Sequence, residues 1–367
     1  MEFSEIKEWV GLSLVPEVGP KRFISLLNHF DSPEKVFSAS LKELEQIPDI
    51  GRVVAKSIKD FNLWDEAEKQ STRIVEEGIN FITLNSGEYP VNLKNIYDPP
   101  PYLFLKGELK KEDNRALAII GTRTPSAYGK LITEKITKEL VEEGITIISG
   151  FARGIDSISH HYALESKGRT IGVLGSGLDV IYPPENKSLA ERIVKNGALL
   201  SEFLLGTKPE GTNFPKRNRL ISGLSFGVVI IEAGMKSGAL LTAKLALDQG
   251  REVFAIPGNI SSLRSEGTNW LIKEGAKLVT RSVDILEELK SVLSQDKKEL
   301  RKEEEYPLSD KEQKVYQLLS AEPAHIDLIA EESELATPTA LSVLLNLELK
   351  GLVRQLSGKN FIRVQGR

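Results

Sequence analysis

The sequence predicts an α/β protein, a mostly parallel sheet covered by helices, with a small helical unit before it and a unit of three helices and a hairpin after it. Three observations carry this. Short apolar runs alternate with amphipathic stretches between residues 116 and 279, the first 65 residues hold an internal helical repeat, and a charged stretch at 291–308 separates a last segment of different pattern. At 367 residues the chain is long enough for two or three domains. The expected boundaries are 1–65, 66–290, a linker at 291–308, and 309–367.

The helical unit repeats Val15-Pro16-Glu17-Val18-Gly19 as Ile47-Pro48-Asp49-Ile50-Gly51, each followed by an apolar-periodic stretch. Both copies read as a hairpin whose glycine relaxes the backbone before a helix. Paired helix-hairpin-helix (SAM-like) motifs look like this, and their turns offer backbone N–H groups to phosphate. A purely structural helical unit reads equally well, because Glu17 and Asp49 in the hairpins repel phosphate.

The core runs are Ala116–Ile120, Thr146–Ile148, Thr170–Leu174, Ala198–Leu200, Val228–Ile231, Val253–Ile256 and Lys277–Val279. Helical patterns at Lys130–Glu142, Glu185–Lys195 and Leu240–Asp248 lie between them. Strands apolar on both faces imply a parallel sheet covered on both sides, with ligands at the carboxyl ends of its strands. After the linker, helices at Ser309–Ser320, His325–Glu332 and Thr337–Lys350 precede strands at Val353–Leu356 and Phe361–Val364, which is the winged-helix order. Its third helix carries Glu348 and few basic residues, so protein interaction or a structural role competes with DNA reading.

The hydrophobic fraction is 40% and the charged fraction 27%, ordinary for a soluble globular protein. No stretch approaches the roughly 20 apolar residues of a bilayer span, and Met1-Glu2-Phe3-Ser4-Glu5 lacks the pattern of a signal peptide. A cytoplasmic location without a membrane partner is predicted. Absence of cysteine excludes disulfides, thiolate chemistry and cysteine-ligated metals. His29, His160, His161 and His325 have no acidic cluster at metal spacing, so no metal and no cofactor is expected. The net charge of −4 speaks against a nucleic-acid partner, and local clustering must decide.

Four segments follow predicted strands. Gly121-Thr122-Arg123 and Ser149-Gly150 through Arg153 each place small residues and an arginine where amides approach a phosphate; ordinary turn chemistry, with Asp156 as a helix cap, is the bland alternative. Lys208 through Arg219 carries Lys208, Lys216, Arg217 and Arg219 against Glu210, a local charge of +3, with Phe214 among the cations. An aromatic beside cations stacks unpaired bases while the charges follow the backbone; a buried loop anchor with paired arginines is the other reading. Lys236-Ser237-Gly238 precedes a helix and resembles a phosphate cradle without P-loop spacing. Gly175-Ser176-Gly177 begins like a dinucleotide fingerprint, but Val180 stands at the third glycine and Tyr182-Pro183-Pro184 follows, which disfavours a redox cofactor.

The ordered set Gly121-Thr122-Arg123, Ser149-Gly150 to Asp156 with His160, Val173-Leu174 through Gly177, Asp179, Tyr182-Pro183, Asn186, Ser201-Glu202, Phe214-Pro215 through Ser225, Glu232-Ala233, Ser237-Gly238 and Pro257-Gly258 closely resembles the DprA/Smf family (DNA-processing protein A). Ser159 stands where an alanine is commoner in that family's motif. The resemblance implies a Rossmann-like core that binds single-stranded DNA, forms a homodimer and delivers strands to the RecA recombinase in natural transformation, without catalysis. Carried onto this sequence it implies a DNA pocket of Arg123, Phe214, Lys216, Arg217, Asn218, Lys236 and Ser237, with Gly121, Gly150 and Gly238 admitting backbone to phosphate. Together with Thr122, Ser149, Arg153 and Arg219 from the segments above, these are the candidate DNA-binding residues; no catalytic residue is expected. The dimer surface is expected near Leu240–Val279. The core also resembles the lysine-decarboxylase-like nucleotide phosphoribohydrolases, with Glu232 in the place of their catalytic Glu. That family reads Pro-Gly-Gly-x-Gly-Thr before its Glu, whereas here Glu232 precedes Gly234 and Ser237-Gly238. A nucleotide-binding enzyme is thus the alternative.

Overall fold

A computed structural model of the chain describes residues 3–290, 308–320, 323–349, 352–356 and 358–363. The expected linker falls outside these residues except for Leu308, as do Lys350, Ser357 and Val364. Residues 1–289 form one compact unit and residues 290–367 a second.

Six helices open the first unit: α1 (Phe3–Leu14), α2 (Pro20–Phe30), α3 (Pro33–Ser38), α4 (Leu41–Glu45), α5 (Arg52–Lys59) and α6 (Trp64–Glu76). The two hairpins of the repeat precede α2 and α5. Their glycines are extended helix caps, Gly19 at φ −84° and Gly51 at φ −78°. The left-handed positions belong to Glu17 and Asp49, so the expectation of a relaxing glycine is corrected: an acidic residue makes each turn. Arg22 donates to the carbonyls of both Glu17 (2.7 Å) and Asp49 (3.0 Å), and Lys21 pairs with the Asp49 carboxylate. Cations of the first copy thereby join the two hairpins.

The sheet has nine strands in the order β1-β2-β6-β5-β4-β3-β7-β8-β9. β1 (Asn80–Thr83) and β2 (Tyr102–Gly107), with the short α7 (Val91–Lys94) between them, form an antiparallel extension joined to β6. β3 (Ala116–Ile120), α8 (Ala127–Glu142), β4 (Thr146–Ser149), α9 (Ile155–Glu165), β5 (Thr170–Val173), α10 (Lys187–Lys195) and β6 (Gly197–Ser201) build one parallel half. α11 (Asn213–Gly223), β7 (Gly227–Ile230), α12 (Gly238–Asp248), β8 (Glu252–Ala255), α13 (Glu266–Lys273), β9 (Lys277–Leu278) and α14 (Ser282–Glu288) build the other. β3 pairs with both β4 and β7, so strand order reverses beside it.

Strands β3 to β7 are buried along their whole length, which explains their uninterrupted apolar runs. Alternation assigns the two faces: Tyr102, Phe104 and Leu199 join the N-terminal helices, α9 and α10 in one core. Leu103, Leu105, Ala198 and Leu200 face α11 and α12 in the other. Trp9 and Phe23 pack on Phe81 and Tyr102, so the N-terminal helices share a core with the sheet.

The second unit contains α15 (Asp310–Leu318), β10 (Ala324–His325), α16 (Ile326–Ser333), α17 (Thr337–Leu349), β11 (Val353–Leu356) and β12 (Asn360–Arg363). Among the described residues its sheet has three strands, β10-β12-β11, one more than the expected hairpin. Ala324 and His325 form that extra strand, and His325 caps α16 from outside, accepting from the Asp327 amide.

Candidate nucleic-acid interface

A cleft opens at the carboxyl ends of β4 and β5, lined by Arg123, Gly150, Ala152, Arg153, Gly175, Ser176, Tyr182, Pro183, Phe214 and Arg217. The loop after β3 supplies Arg123, the turn between β4 and α9 supplies Gly150 to Arg153, and the start of α11 supplies Phe214 and Arg217. Phe214 is its centre: the Arg123 and Arg217 guanidinium carbons lie 5.5 and 5.9 Å from its ring centroid. The Tyr182 ring is 6.2 Å away, tilted by 36°, with Arg153 6.0 Å from the tyrosine centroid. Gly175 must be glycine here, because a Cβ would lie 2.8 Å from Phe214.

The basic segment Lys208 through Arg219 enters α11 at Asn213, and this changes the role of its helical residues. Arg217 is buried; its Nη1 donates to the Gly150 and Val173 carbonyls, and its Nε donates to Asn218 Oδ1 at 3.2 Å. Burial pulls its pKa down to about 10, with Asp156 opposing. Arg217 is therefore a fixed cationic floor that carries charge at neutral pH. Asn218 aligns that floor from below. Arg219, two residues on, is buried with Glu202 and pairs with Asp98 at 3.3 Å, away from the cleft residues. Lys216 is an exposed residue of α11 and does not line the cleft.

Other candidates are corrected in the same way. Ser149 is fully buried in β4, its hydroxyl donating to the Ile119 carbonyl at 2.6 Å, so it has nothing to offer a ligand. Gly121 and Gly150 are hemmed in by the protein itself: a Cβ on Gly121 would lie 2.7 Å from Ile155 and one on Gly150 2.8 Å from Asp156 Oδ2, whose carboxylate accepts from Ala152 N at 3.3 Å. Thr122 N donates to the Glu232 carbonyl and its own carbonyl accepts from Ile155 N. Arg153 is held by the Glu185 carboxylate, whose second contact is 3.1 Å.

Lys236, Ser237 and Gly238 lie after β7, across the reversal point from the cleft. Ser237 caps α12 through Ala239 N, Lys236 is exposed, and a Cβ on Gly238 would meet nothing within 4 Å. A second, more open cleft on that side is lined by Ser126, Tyr128, Glu232, Pro257, Gly258, Asn259, Ser262 and Ser265. Glu232, the acidic residue of the enzyme alternative, is buried and accepts from both the amide (2.9 Å) and the hydroxyl (2.5 Å) of Ser126, tying β7 to the start of α8. His160 is fully buried, its Nδ1 2.6 Å from Thr170 Oγ1, and burial drives its pKa down to about 3, so it is neutral. Among the described residues no group of His, Asp or Glu could hold a metal ion, and no helix is long and apolar enough to cross a membrane.

Sequence reasoning missed Tyr182, Pro183, Gly175 and Ser176 as cleft residues. Their signal was the run of small residues directly after β5, set aside because it failed as a dinucleotide fingerprint.

Fold and cleft define an α/β protein of three parts, in which a Rossmann-like sheet presents arginines around aromatic rings at its carboxyl edge. Family comparison places each part. The model for DNA recombination-mediator protein A matches residues 80–290, a DprA winged-helix model residues 300–359, and a SAM-like helix-hairpin-helix tandem residues 11–61. The chain belongs to the DprA/Smf family. It is 34% identical to protein Smf of Synechocystis over 404 aligned positions, covering 99% of this chain and 100% of that one. It is 49% identical to DNA processing protein DprA of Bacillus subtilis over 215 residues, 58% of this chain and 72% of that one. The crystal structure of DprA from Streptococcus pneumoniae superposes with a TM-score of 0.65 at 35% identity, covering 78% and 98% of the chains. A structure of DNA processing protein A from Helicobacter pylori, described for its single-stranded DNA binding mode, gives 0.52 at 34% identity, covering 58% and 96%.

Proposed function

We propose that this protein binds single-stranded DNA in the cleft around Phe214, without catalysis. One observation carries the reading: Arg123, Arg153 and Arg217 converge on two aromatic rings that a base can reach only when it is unpaired. Cations follow the phosphates while Phe214 and Tyr182 offer π-faces to successive bases. The Helicobacter pylori relative, named for that binding mode, supports it. The engagement of Glu232 with Ser126 argues against the phosphoribohydrolase alternative, because a carboxylate holding a helix start is not free to act on a nucleotide.

In the cytoplasm, on this reading, the protein covers incoming strands and loads RecA during natural transformation. It does so as a homodimer through the core, where Ile260, Leu263, Trp270 and Leu278 are exposed apolar residues at the β9 end of the sheet. Lys216 and Lys236 extend the cationic path beyond the cleft.

Fluorescence anisotropy with a labelled unstructured oligonucleotide, against a duplex of the same length, tests the reading. Single-strand affinity is expected to exceed duplex affinity, and log K to fall against log salt with a slope of about −0.7 per phosphate neutralised. Equal affinity for both forms, or insensitivity to salt, would refute it.

A further inference from the structure

Asp156 lies directly beneath the cleft but is not among the residues lining it. It is the second residue of α9 and only 6% exposed. Its carboxylate accepts a hydrogen bond from the Ala152 amide, in the turn after β4, at 3.3 Å. That turn carries Arg153. On its other side Gly150 meets the floor: a Cβ there would lie 2.8 Å from Asp156 Oδ2 and 2.9 Å from Arg217 Nη2. One glycine thus separates the buried carboxylate from the guanidinium that faces the cleft.

We infer that Asp156 is the positioning residue of the cleft: by holding the turn after β4 on a buried carboxylate, it fixes Arg153 and the Gly150 carbonyl that seats Arg217 at the spacing that grips a strand. The inference rests on the strand-binding reading for its functional consequence, not for its structural one.

The charged groups around Asp156 are Arg217 from α11 and, beyond it, Arg123 from the loop after β3; His160, one turn along α9, is neutral. A role in stability alone does not account for this carboxylate. Burial pushes its pKa up from 3.8 to about 6, although Arg217 and the Ala152 amide act in the opposite direction. A folded pKa above the unfolded one means that the native state holds the proton more tightly, so this group's contribution to stability falls as pH rises toward and through about 6. At neutral pH the ionised form weighs against folding. Groups arranged against stability in this way belong to functional sites.

The test is Asp156→Asn. The amide keeps the shape but loses the charge, and its NH2 cannot accept from the Ala152 amide. Strand affinity is expected to fall about tenfold, as for hydrogen bonds to a charged group, with an unchanged or raised melting temperature at neutral pH. Simple removal of a negative charge near DNA predicts tighter binding instead, and that result would overturn the inference. So would an affinity loss matched by a fall in melting temperature.

Two further measurements keep the answer clear. In wild-type protein, strand affinity is expected to weaken between about pH 7 and pH 5 as Asp156 takes up its proton, against the strengthening that protonation of surface carboxylates brings. Flat or rising affinity would count against the inference even if the variant failed to fold. In DNA-free protein, amide exchange at 150–152 is expected to accelerate in the variant relative to the rest of the sheet. That readout needs no DNA: were wild-type protein to bind no strand, the proposed function would fail while exchange would still decide whether Asp156 holds the turn. Unchanged exchange would refute the positioning role.

Discussion

Two clefts open at the carboxyl ends of the same parallel sheet, and they differ in what their side chains are free to do. The cleft at β4 and β5 presents three arginines and two aromatic rings. The one across the strand reversal, between β3 and β7, is lined by serines, Asn259, Tyr128 and a Glu232 whose two oxygens are both engaged by Ser126, and no cation lines it. Both follow glycine-containing loops with a nearby cation in sequence. Sequence alone made them look alike. The difference teaches that such a loop gathers cations around a cleft only where the fold turns them toward it, even though Arg217 and Arg153 are themselves held by carbonyls and a carboxylate.

The largest expected effect breaks the first cleft at its floor. Arg217→Ala leaves the Gly150 and Val173 carbonyls without their buried donor, and unsatisfied buried groups cost about 1–3 kcal/mol each. Thermal melting should show that loss of stability, and anisotropy a fall in strand affinity on the order of a hundredfold, about 2.7 kcal/mol. Survival of wild-type affinity would mean that the strand lies elsewhere.

Next is Phe214→Ala, which removes a stacking platform worth about 1–3 kcal/mol per base, measured by the same titration. Tryptophan at 214 should retain most of the binding, since any base accepts a π-face.

Arg123→Ala should act more weakly and mainly through charge. Its signature is a salt dependence shallower by about 0.7 in log–log slope, one phosphate contact on a single strand. A uniform loss of affinity with the slope unchanged would place Arg123 in packing against Phe214 rather than on a phosphate.

The smallest effect is expected in the second cleft. Glu232→Gln should leave strand affinity within about twofold while lowering stability by about 1–2 kcal/mol through the weakened link to Ser126. If it weakened binding as much as Phe214→Ala, the two clefts would have to be treated as one continuous site.

Much of the sheet was legible because a strand buried on both faces must be apolar throughout. All seven parallel strands lie within a residue or so of their expected bounds. β1 and β2 escaped because they form an antiparallel extension outside the strand–helix alternation, β1 with only four residues and β2 directly behind Pro99-Pro100-Pro101. α11 escaped for a deeper reason. Arg217, Asn218 and Arg219 are buried on a helix, and apolar periodicity cannot register a buried polar face whose partners, Gly150, Val173 and Glu202, lie at the carboxyl ends of β4, β5 and β6.

The sequence by itself determined the three-part order, the parallel core and the residue types of the proposed strand-binding cleft, because burial and helix periodicity are written locally in side-chain chemistry. Only the tertiary structure decided which cations are available. Arg217 and Arg219 stand two residues apart in one basic run, yet one floors a cleft and the other is paired with Glu202 and Asp98. Their charges are identical, and what separates them is which carbonyls and carboxylates the sheet brings within hydrogen-bond reach.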